Sequence, residues 1–387
     1  MKEFNVVSCF DGHSCGQIAL KELKIPIKNY YSFEVDKFAI EQTQSVFPNT
    51  IQLGDIENWK NADIDWSGVD LFIGGSPCQG FSFAGKQLNF KDPRSKLFFV
   101  FVDILNHIKT INPNIKFLLE NVNMKKEHQN VINKYLGIFS VRINSNRVSA
   151  QNRDRLYWSN IRTKQKGFFF TYTDIPQPKD RGILLKDILQ PESEVDEKYY
   201  IKNPKMLKFI TDEWRLNKRY TQIDGAKALP QMARQYTSWC GDYFCVAMRG
   251  GNSENPSDRK TDSPTEQRLE PKTNGKTNCL TSVSKDNLIM EFSSDFNFSQ
   301  TVPTEIKTPK HRALLSQCGG KTKGIGIYSD KDYKLRRLTP TECSRLQTVP
   351  SWYKWIVADI QIYKMLGNGW TVEAIKHILK YLKLNNE

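Results

Sequence analysis

The chain has 387 residues, of which 39% are hydrophobic and 25% charged, a composition that excludes a disordered or fibrous protein. At roughly 150 residues per domain, two or three domains are expected. Lys and Arg outnumber Asp and Glu by 56 to 42, and the resulting +14 favours a polyanionic partner, nucleic acid first and a membrane surface second.

The first part alternates buried-strand and helix signals. Phe4 to Phe10 reads as a strand ended by Asp11-Gly12, and Ser14 to Leu23 as a helix. Tyr30 to Val35 is a second strand, Lys37 to Phe47 a helix stopped by Pro48, and Thr50 to Leu53 a third strand. Asp70 to Ile73, an apolar helix over Leu97 to Ile108, and a strand over Phe117 to Leu119 follow. Such alternation predicts a parallel sheet covered on both faces. From about residue 166 the pattern changes: residues 171–325 are rich in Pro, Gly, Asn, Ser and Thr, with short strand-like pieces such as Asp242 to Met248. Regularity returns after Arg336, and Trp370 to Leu384 reads as one amphipathic helix. The apolar run from Leu97 to Leu105 is far shorter than the roughly 20 residues of a membrane span. The N-terminus has no signal-peptide pattern, so a cytoplasmic protein is expected.

Polar groups follow each of these strands: Asp11-Gly12, Glu34, Gly54-Asp55, Gly74-Gly75-Ser76-Pro77-Cys78 and Glu120-Asn121. Ligands of open α/β sheets bind outside the carboxyl ends of the strands, which predicts that these residues converge on one edge. Gly12 permits close backbone approach to a ligand, and Glu34, 22 residues on, is an acid able to hold ribose hydroxyls. Read alone, the turn is as well explained by structure, and Asp55 by loop capping. The eight cysteines, at 9, 15, 78, 240, 245, 279, 318 and 343, include no Cys-x-x-Cys pair, so free thiols are expected. Cys78, after a proline and framed by glycines, is suited to act as a thiolate nucleophile, although a lone cysteine is usually a small buried apolar residue. Glu120 offers a carboxylate for proton donation on the neighbouring rim, or simply a helix-entry acid. Alternation places Gln151, Arg153 and Arg155 on one face of a strand, which in isolation reads as a solvated edge.

These residues, in this order, resemble the cytosine-5 DNA methyltransferase family. Phe10-x-Gly12-x-x-x-Gly16 is similar to its S-adenosylmethionine loop, Pro77-Cys78-Gln79 to its nucleophile motif, Glu120-Asn121-Val122 to its acid motif, and Gln151-x-Arg153-x-Arg155 to its base-contacting motif. Arg337-Leu338-Thr339-Pro340-Thr341-Glu342 with Arg345-Leu346-Gln347, and Leu366-Gly367-Asn368-Gly369, resemble its two C-terminal motifs. The resemblance brackets about residues 4–165 and 336–380. It implies an α/β, Rossmann-like methyltransferase domain over 1–165, a smaller irregular target-recognition domain over 166–325, and a segment, 326–387, returning to the catalytic domain. It implies Cys78, Glu120, Arg155 and Arg153 as catalytic residues, and Phe10, Gly12, Gly16, Glu34, Asp55, Pro77 and Asn368 as contacts to S-adenosyl-L-methionine, with no metal. Gln79, Ser82, Arg249, Arg259 and Arg268 are the implied DNA contacts, with Asn252, Gln267, Lys285 and Asn287 as further candidate base readers.

Four positions depart from the family pattern. Ser14 and Cys15 stand in the glycine stretch of the adenosine loop, Val35 replaces a frequent aromatic residue, and Gly369 replaces a common serine. The Phe-Asp-Gly opening and Trp370 resemble a branch that includes vertebrate de novo methyltransferases and some bacterial and phage enzymes. The resemblance implies methylation of carbon 5 of a flipped-out cytosine in double-stranded DNA, after addition of the Cys78 thiolate at carbon 6. The setting it implies is a restriction-modification system or a phage, with a monomeric enzyme and any cognate endonuclease acting separately. Methylation of tRNA, as in a branch with Pro-Pro-Cys and a shorter insert, and a catalytically dead DNA-binding relative are the competing readings. Ser76 before Pro77 argues against the first; retention of Cys78, Glu120 and Arg155 argues against the second.

Overall fold

The computed structural model describes residues 2–76, 96–167, 169–233, 240–251, 266–271, 290–291, 325–326 and 333–384. The chain forms two compact units. One comprises 1–188, 230–236 and 340–387; the other comprises 189–229 and 237–339. The divisions fall at 188/189 and 339/340, and residues 230–236 return to the first unit.

The first unit is built on a seven-stranded sheet. Its chain order is β1 (Phe4–Cys9), α1 (Cys15–Glu22), β2 (Ile27–Phe33), α2 (Lys37–Val46), β3 (Ile51–Gln52) and β4 (Leu71–Gly75), continuing through α3 (Lys96–Ile111), β5 (Lys116–Val122), α4 (Lys126–Leu136), β6 (Val141–Asn144) and β7 (Asp154–Ser159). Strand alternation divides the side chains between two faces. Val7, Cys9, Phe72, Phe117 and Leu119 join Phe101, Leu105 and Ile132 of α3 and α4 in one core cluster. Phe72 stacks on Phe101 at 4.4 Å between ring centroids. A Cβ on Gly74 would come within 2.9 Å of the Phe101 ring, so a glycine here lets helix and sheet approach. The other face receives α1, where a Cβ on Gly16 would lie 2.4 Å from Ile73 Cδ1. Local signals bound the helices: Asp36 starts α2 by accepting from Phe38 N at 3.0 Å, and Gly137, at φ +70°, closes α4.

The strand order is β3-β2-β1-β4-β5-β7-β6. β3, β2, β1, β4 and β5 are mutually parallel, as expected, but β7 runs antiparallel to both β5 and β6. The sheet is therefore mixed. Reversal of β7 carries its first residues, not its last, to the edge where the parallel strands end, with Arg155 opposite Val122 in register. β7 begins only at Asp154, so Gln151 and Arg153 precede the strand instead of alternating along it. Both are buried, which overturns the solvated-edge reading. The chain runs from β1 outward through β2 and β3 and then crosses back to β4, so the topological switch point lies between β1 and β4.

A hairpin of β8 (Thr163–Lys166) and β9 (Phe170–Thr173) belongs to this unit. Thr173 ties it down, bonding Phe139 O through its amide at 2.9 Å and receiving Ser159 N on its hydroxyl at 3.0 Å. In the second unit, α5 (Pro204–Ile210), α6 (Glu213–Asn217) and β10 (Thr221–Ile223) precede a long strand β11 (Gly241–Gly251), paired parallel with β10 and antiparallel with β12 (Glu266–Pro271). β13 (Met290–Glu291) pairs with β14 (Ile325–Gly326), and β15 (Tyr333–Arg337) returns along β11. Ile201, Met206, Ile210, Tyr243 and Leu335 form its core. The chain ends in the first unit with α7 (Pro340–Leu346), α8 (Asp359–Asn368), α9 (Val372–Leu379) and α10 (Tyr381–Leu384). The single terminal helix expected from Trp370 is thus two, α9 and α10. Among the described residues no helix is long and apolar enough to cross a membrane.

Candidate active site

The strand-end residues do converge. A cavity of about 410 Å3 at the switch point is lined by Phe10, Gly12, Glu34, Asp55, Ser76 and Glu120, among others. On its β1–β2 side the backbone is wound tightly: Phe10, Gly12 and Ser14 all take left-handed φ, at 59°, 58° and 62°. Two such residues are not glycine, a conformation that costs energy and is held by surrounding bonds. Phe10 N and Asp11 N both bond Phe33 O, and Glu34 Oε2 accepts from Gly12 N at 2.7 Å. The other oxygen, Oε1, accepts from Val35 N and Asp36 N, both at 2.8 Å.

This arrangement fits an adenosine-bearing ligand. A Cβ on Gly12 would meet nothing within 4 Å, so the backbone faces open space. The Glu34 carboxylate is fixed by three backbone N–H groups and retains lone pairs for a ribose diol. Val35, 70% exposed, and Ile56 line the same cavity and offer apolar surface to a base. Asp55 is at the cavity wall but also caps the following turn, accepting from Glu57 N at 2.9 Å. Asn368 also lines the cavity. At Gly16 the lack of a side chain serves the packing of α1 on Ile73.

On the β4–β5 side, Glu120 is 8% exposed. Its Oε1 takes Arg155 Nε at 2.9 Å and its Oε2 takes Trp370 Nε1 at 3.1 Å. Arg155 Nη1 also donates to Asp154 O at 2.9 Å. Next to Glu120, the Asn121 amide donates to Ser76 Oγ at 3.0 Å, tying β5 to the exit of β4. Pro77, Cys78, Gln79 and Ser82 lie beyond that exit and outside the described residues.

Arg153 also lines the cavity. It is 4% exposed, with Nη1 bonded to Gln231 O at 2.9 Å and Nη2 to Gly367 O and Gly369 O at 3.0 and 2.9 Å. Burial first, and Arg155 second, depress its pKa to about 9, so it is a cation at neutral pH. Three of its N–H groups are thus bonded to backbone carbonyls of Gln231, Gly367 and Gly369. Of the other arginines, Arg249 and Arg268 are register partners on β11 and β12. Arg259, Asn252, Lys285 and Asn287 lie outside the described residues, and Gln267 pairs in register with Gly250.

Some cavity residues were missed. Asp11 stands on the predicted rim, and position alone could have singled it out; its carboxylate accepts from Ser8, Tyr30 and Ser32 hydroxyls at 2.6, 2.8 and 3.2 Å. Burial raises its pKa to about 6. Cys15 also lines the cavity, but burial pushes its thiol to about 12, leaving it inert as a nucleophile at neutral pH. The structure gives one of the family departures a physical reason. A Cβ on Gly369 would lie 2.4 Å from His13 Cε1, so the buried His13 fills the space that a serine there requires.

A switch-point cavity with a ribose-type carboxylate at one end and a buried acid–arginine pair at the other is the layout of a nucleotide-cofactor enzyme. The chain belongs to the C-5 cytosine-specific DNA methylase family, whose model matches residues 4–384. It is a DNA cytosine-5 methyltransferase, and its family and fold imply S-adenosylmethionine as methyl donor. It is 27% identical to the orphan methyltransferase M.SPRI of Bacillus phage SPR, over 99% of this chain and 98% of that one. It is also 27% identical to the type II methyltransferase M1.ScrFI of Lactococcus lactis subsp. cremoris, over 91% of this chain and 71% of that one. The fold is similar to that of the Entamoeba histolytica methyltransferase EhMeth, with a TM-score of 0.60, 15% identity and full coverage of both chains.

Proposed function

We propose that the protein is a site-specific methyltransferase of double-stranded DNA, serving a restriction-modification system or a phage, in which Cys78 is the nucleophile and Glu120 the ring acid. The observation that carries this reading is the buried Glu120–Arg155 pair, set in the same cavity as the Glu34–Gly12 cradle. Bound S-adenosylmethionine supplies an electrophilic methyl group. Phe10, Gly12, Glu34, Asp55, Pro77 and Asn368 would hold it, with Asp11 beside them. Among the described residues no group of three or more His, Cys, Asp and Glu is placed to hold a metal ion, and the proposed chemistry needs none.

Carbon 5 of cytosine lies in an aromatic ring and is a poor nucleophile. Addition of the Cys78 thiolate at carbon 6 breaks the aromaticity and drives electron density toward ring nitrogen 3. Glu120 would protonate that nitrogen, leaving carbon 5 enamine-like and able to take a methyl group. Loss of the carbon-5 proton to water, return of the nitrogen-3 proton to Glu120 and elimination of the Cys78 thiolate would then restore the ring. Arg155 has five N–H groups, of which Nε and one on Nη1 hold Glu120 and Asp154 O; the outer edge of the fork would hold the exocyclic oxygen. Because carbon 6 is shielded in a duplex, the base must leave the stack.

The second unit, with the Arg249–Arg268 register pair, is the proposed target reader, together with Arg259, Gln79 and Ser82. The enzyme would work as a monomer in the cytoplasm of a bacterial or phage-infected cell, with any cognate endonuclease separate. Labelled methyl transfer from S-adenosylmethionine to duplex DNA and to tRNA tests the proposal. Wild type should label DNA alone and Cys78→Ala neither; an active Cys78→Ala overturns the mechanism, and preferential labelling of tRNA overturns the substrate. Bisulfite sequencing of DNA from expressing cells would then give the target site.

A further inference from the structure

Trp370 lies 250 residues from Glu120 in sequence, yet its indole N–H donates to Glu120 Oε2 at 3.1 Å. The contact is built into the sheet. Gly75 is the register partner of Glu120 on β4, and a Cβ there would lie 2.7 Å from Trp370 Nε1 and 3.1 Å from Glu120 Oε2. A side chain at residue 75 would displace the indole from the acid.

The turn that carries the indole is fixed from below. Arg153 Nη2 bridges Gly367 O and Gly369 O, and Cys15 Sγ donates to Trp370 O at 3.4 Å. The Gln347 amide holds Leu366 O at 2.6 Å. The turn is also closed on its outer side, since a Cβ on Gly367 would sit 2.3 Å from Ala233 N in the returning 230–236 segment. Arg153 joins that segment too, through Gln231 O.

We infer that Trp370 is a positioning residue for Glu120, and that Arg153 is the clamp that holds Trp370 in place. The inference rests on the reading of Glu120 as the ring acid. With Arg155 on Oε1 and Trp370 on Oε2, the carboxyl group is held at both oxygens and cannot turn about its last bond. A carboxyl that must place one proton on one ring nitrogen benefits from such restraint.

The test is steady-state kinetics on duplex DNA with Trp370→Phe, which keeps the ring and removes the donor. The expected result is a fall in kcat of about tenfold, with KM for S-adenosylmethionine and DNA within about twofold of wild type. A wild-type kcat, or a raised KM with kcat unchanged, would overturn the inference. Arg153→Lys keeps the cation but not the fork and should lower kcat with the same unchanged KM values; should Trp370→Phe fail to fold, a wild-type kcat in Arg153→Lys overturns it. Glu120→Gln distinguishes the two levels. Full turnover in that variant removes the reading of Glu120 as acid, whereas an inactive Glu120→Gln beside an unaffected Trp370→Phe removes only the role given to Trp370.

Discussion

The two ends of the cavity are assembled differently. On the β1–β2 side, Glu34 is held by Gly12, Val35 and Asp36, the last two its own chain neighbours, and Asp55 bonds within its own turn. On the β4–β5 side, Glu120 is held by Arg155 and Trp370, and Trp370 in turn by Arg153, which also grips residue 231. A binding surface for a cofactor is made here from strand-end turns that fold locally. The acid needs restraint at both oxygens, and its two partners come from separated stretches of chain. Damage to the first end should therefore appear in cofactor affinity, and damage to the second in turnover or in the integrity of the unit.

Glu120→Gln should show the largest effect, a loss of about 10²- to 10⁴-fold in kcat, because the acid is removed while the neutral amide keeps the shape. DNA binding by gel shift should be retained; an equal loss of binding would mean that Glu120 holds the substrate instead of reacting with it. Arg153→Met comes next. It leaves the carbonyls of Gln231, Gly367 and Gly369 without their buried donor and should cost about 3 kcal/mol in chemical denaturation. Unchanged stability with weakened DNA binding would return Arg153 to the base-contacting role.

Glu34→Gln should act mainly on the cofactor. An amide presents an NH2 group to backbone donors that now meet a carboxylate, so KM for S-adenosylmethionine should rise about tenfold, with a smaller change in kcat. A kcat loss at unchanged KM would contradict the division of labour between the two ends.

The smallest expected effect is in wild-type stability against pH. Burial raises Asp11 from 3.8 to about 6, so its contribution is full below about pH 4 and is withdrawn as pH rises toward 6. Burial lowers His13 from 6.5 to about 4, so its contribution is present above about pH 6.5 and is lost as pH falls toward 4. The two slopes oppose, and the wild-type denaturation midpoint should be nearly flat across this window from these two groups. Asp11→Asn should uncover the His13 slope, with stability rising from about pH 4 to 6.5. A variant whose midpoint falls over that range would show that His13 is not buried in neutral form.

The legible part of the site follows the same division. Glu34 and Asp55 could be placed from the sequence because each follows a short β-rich run, and five parallel strands bring their ends to one edge. Glu120 was found for the same reason. The clamp was not legible, because Arg153 shows only a spacing of two from Arg155, and its carbonyl partners have no side-chain signature. The reversal of β7 was equally hidden: alternation reports which face a residue is on, not the direction in which its strand runs. Cys78 was singled out by sequence context and lies outside the described residues.

By itself the sequence determined the order of strands and helices in the first unit, the residues that end on the ligand-binding edge and the family to which their motifs belong. These rest on periodicity, turn chemistry and residue type, all of which are written locally. Only the tertiary structure decided that Arg153 supports a turn, that Gly369 makes room for His13, and that Trp370 meets Glu120. Those facts depend on which distant carbonyl, ring or methyl group shares a buried space, and packing of separated segments, not local pattern, determines that.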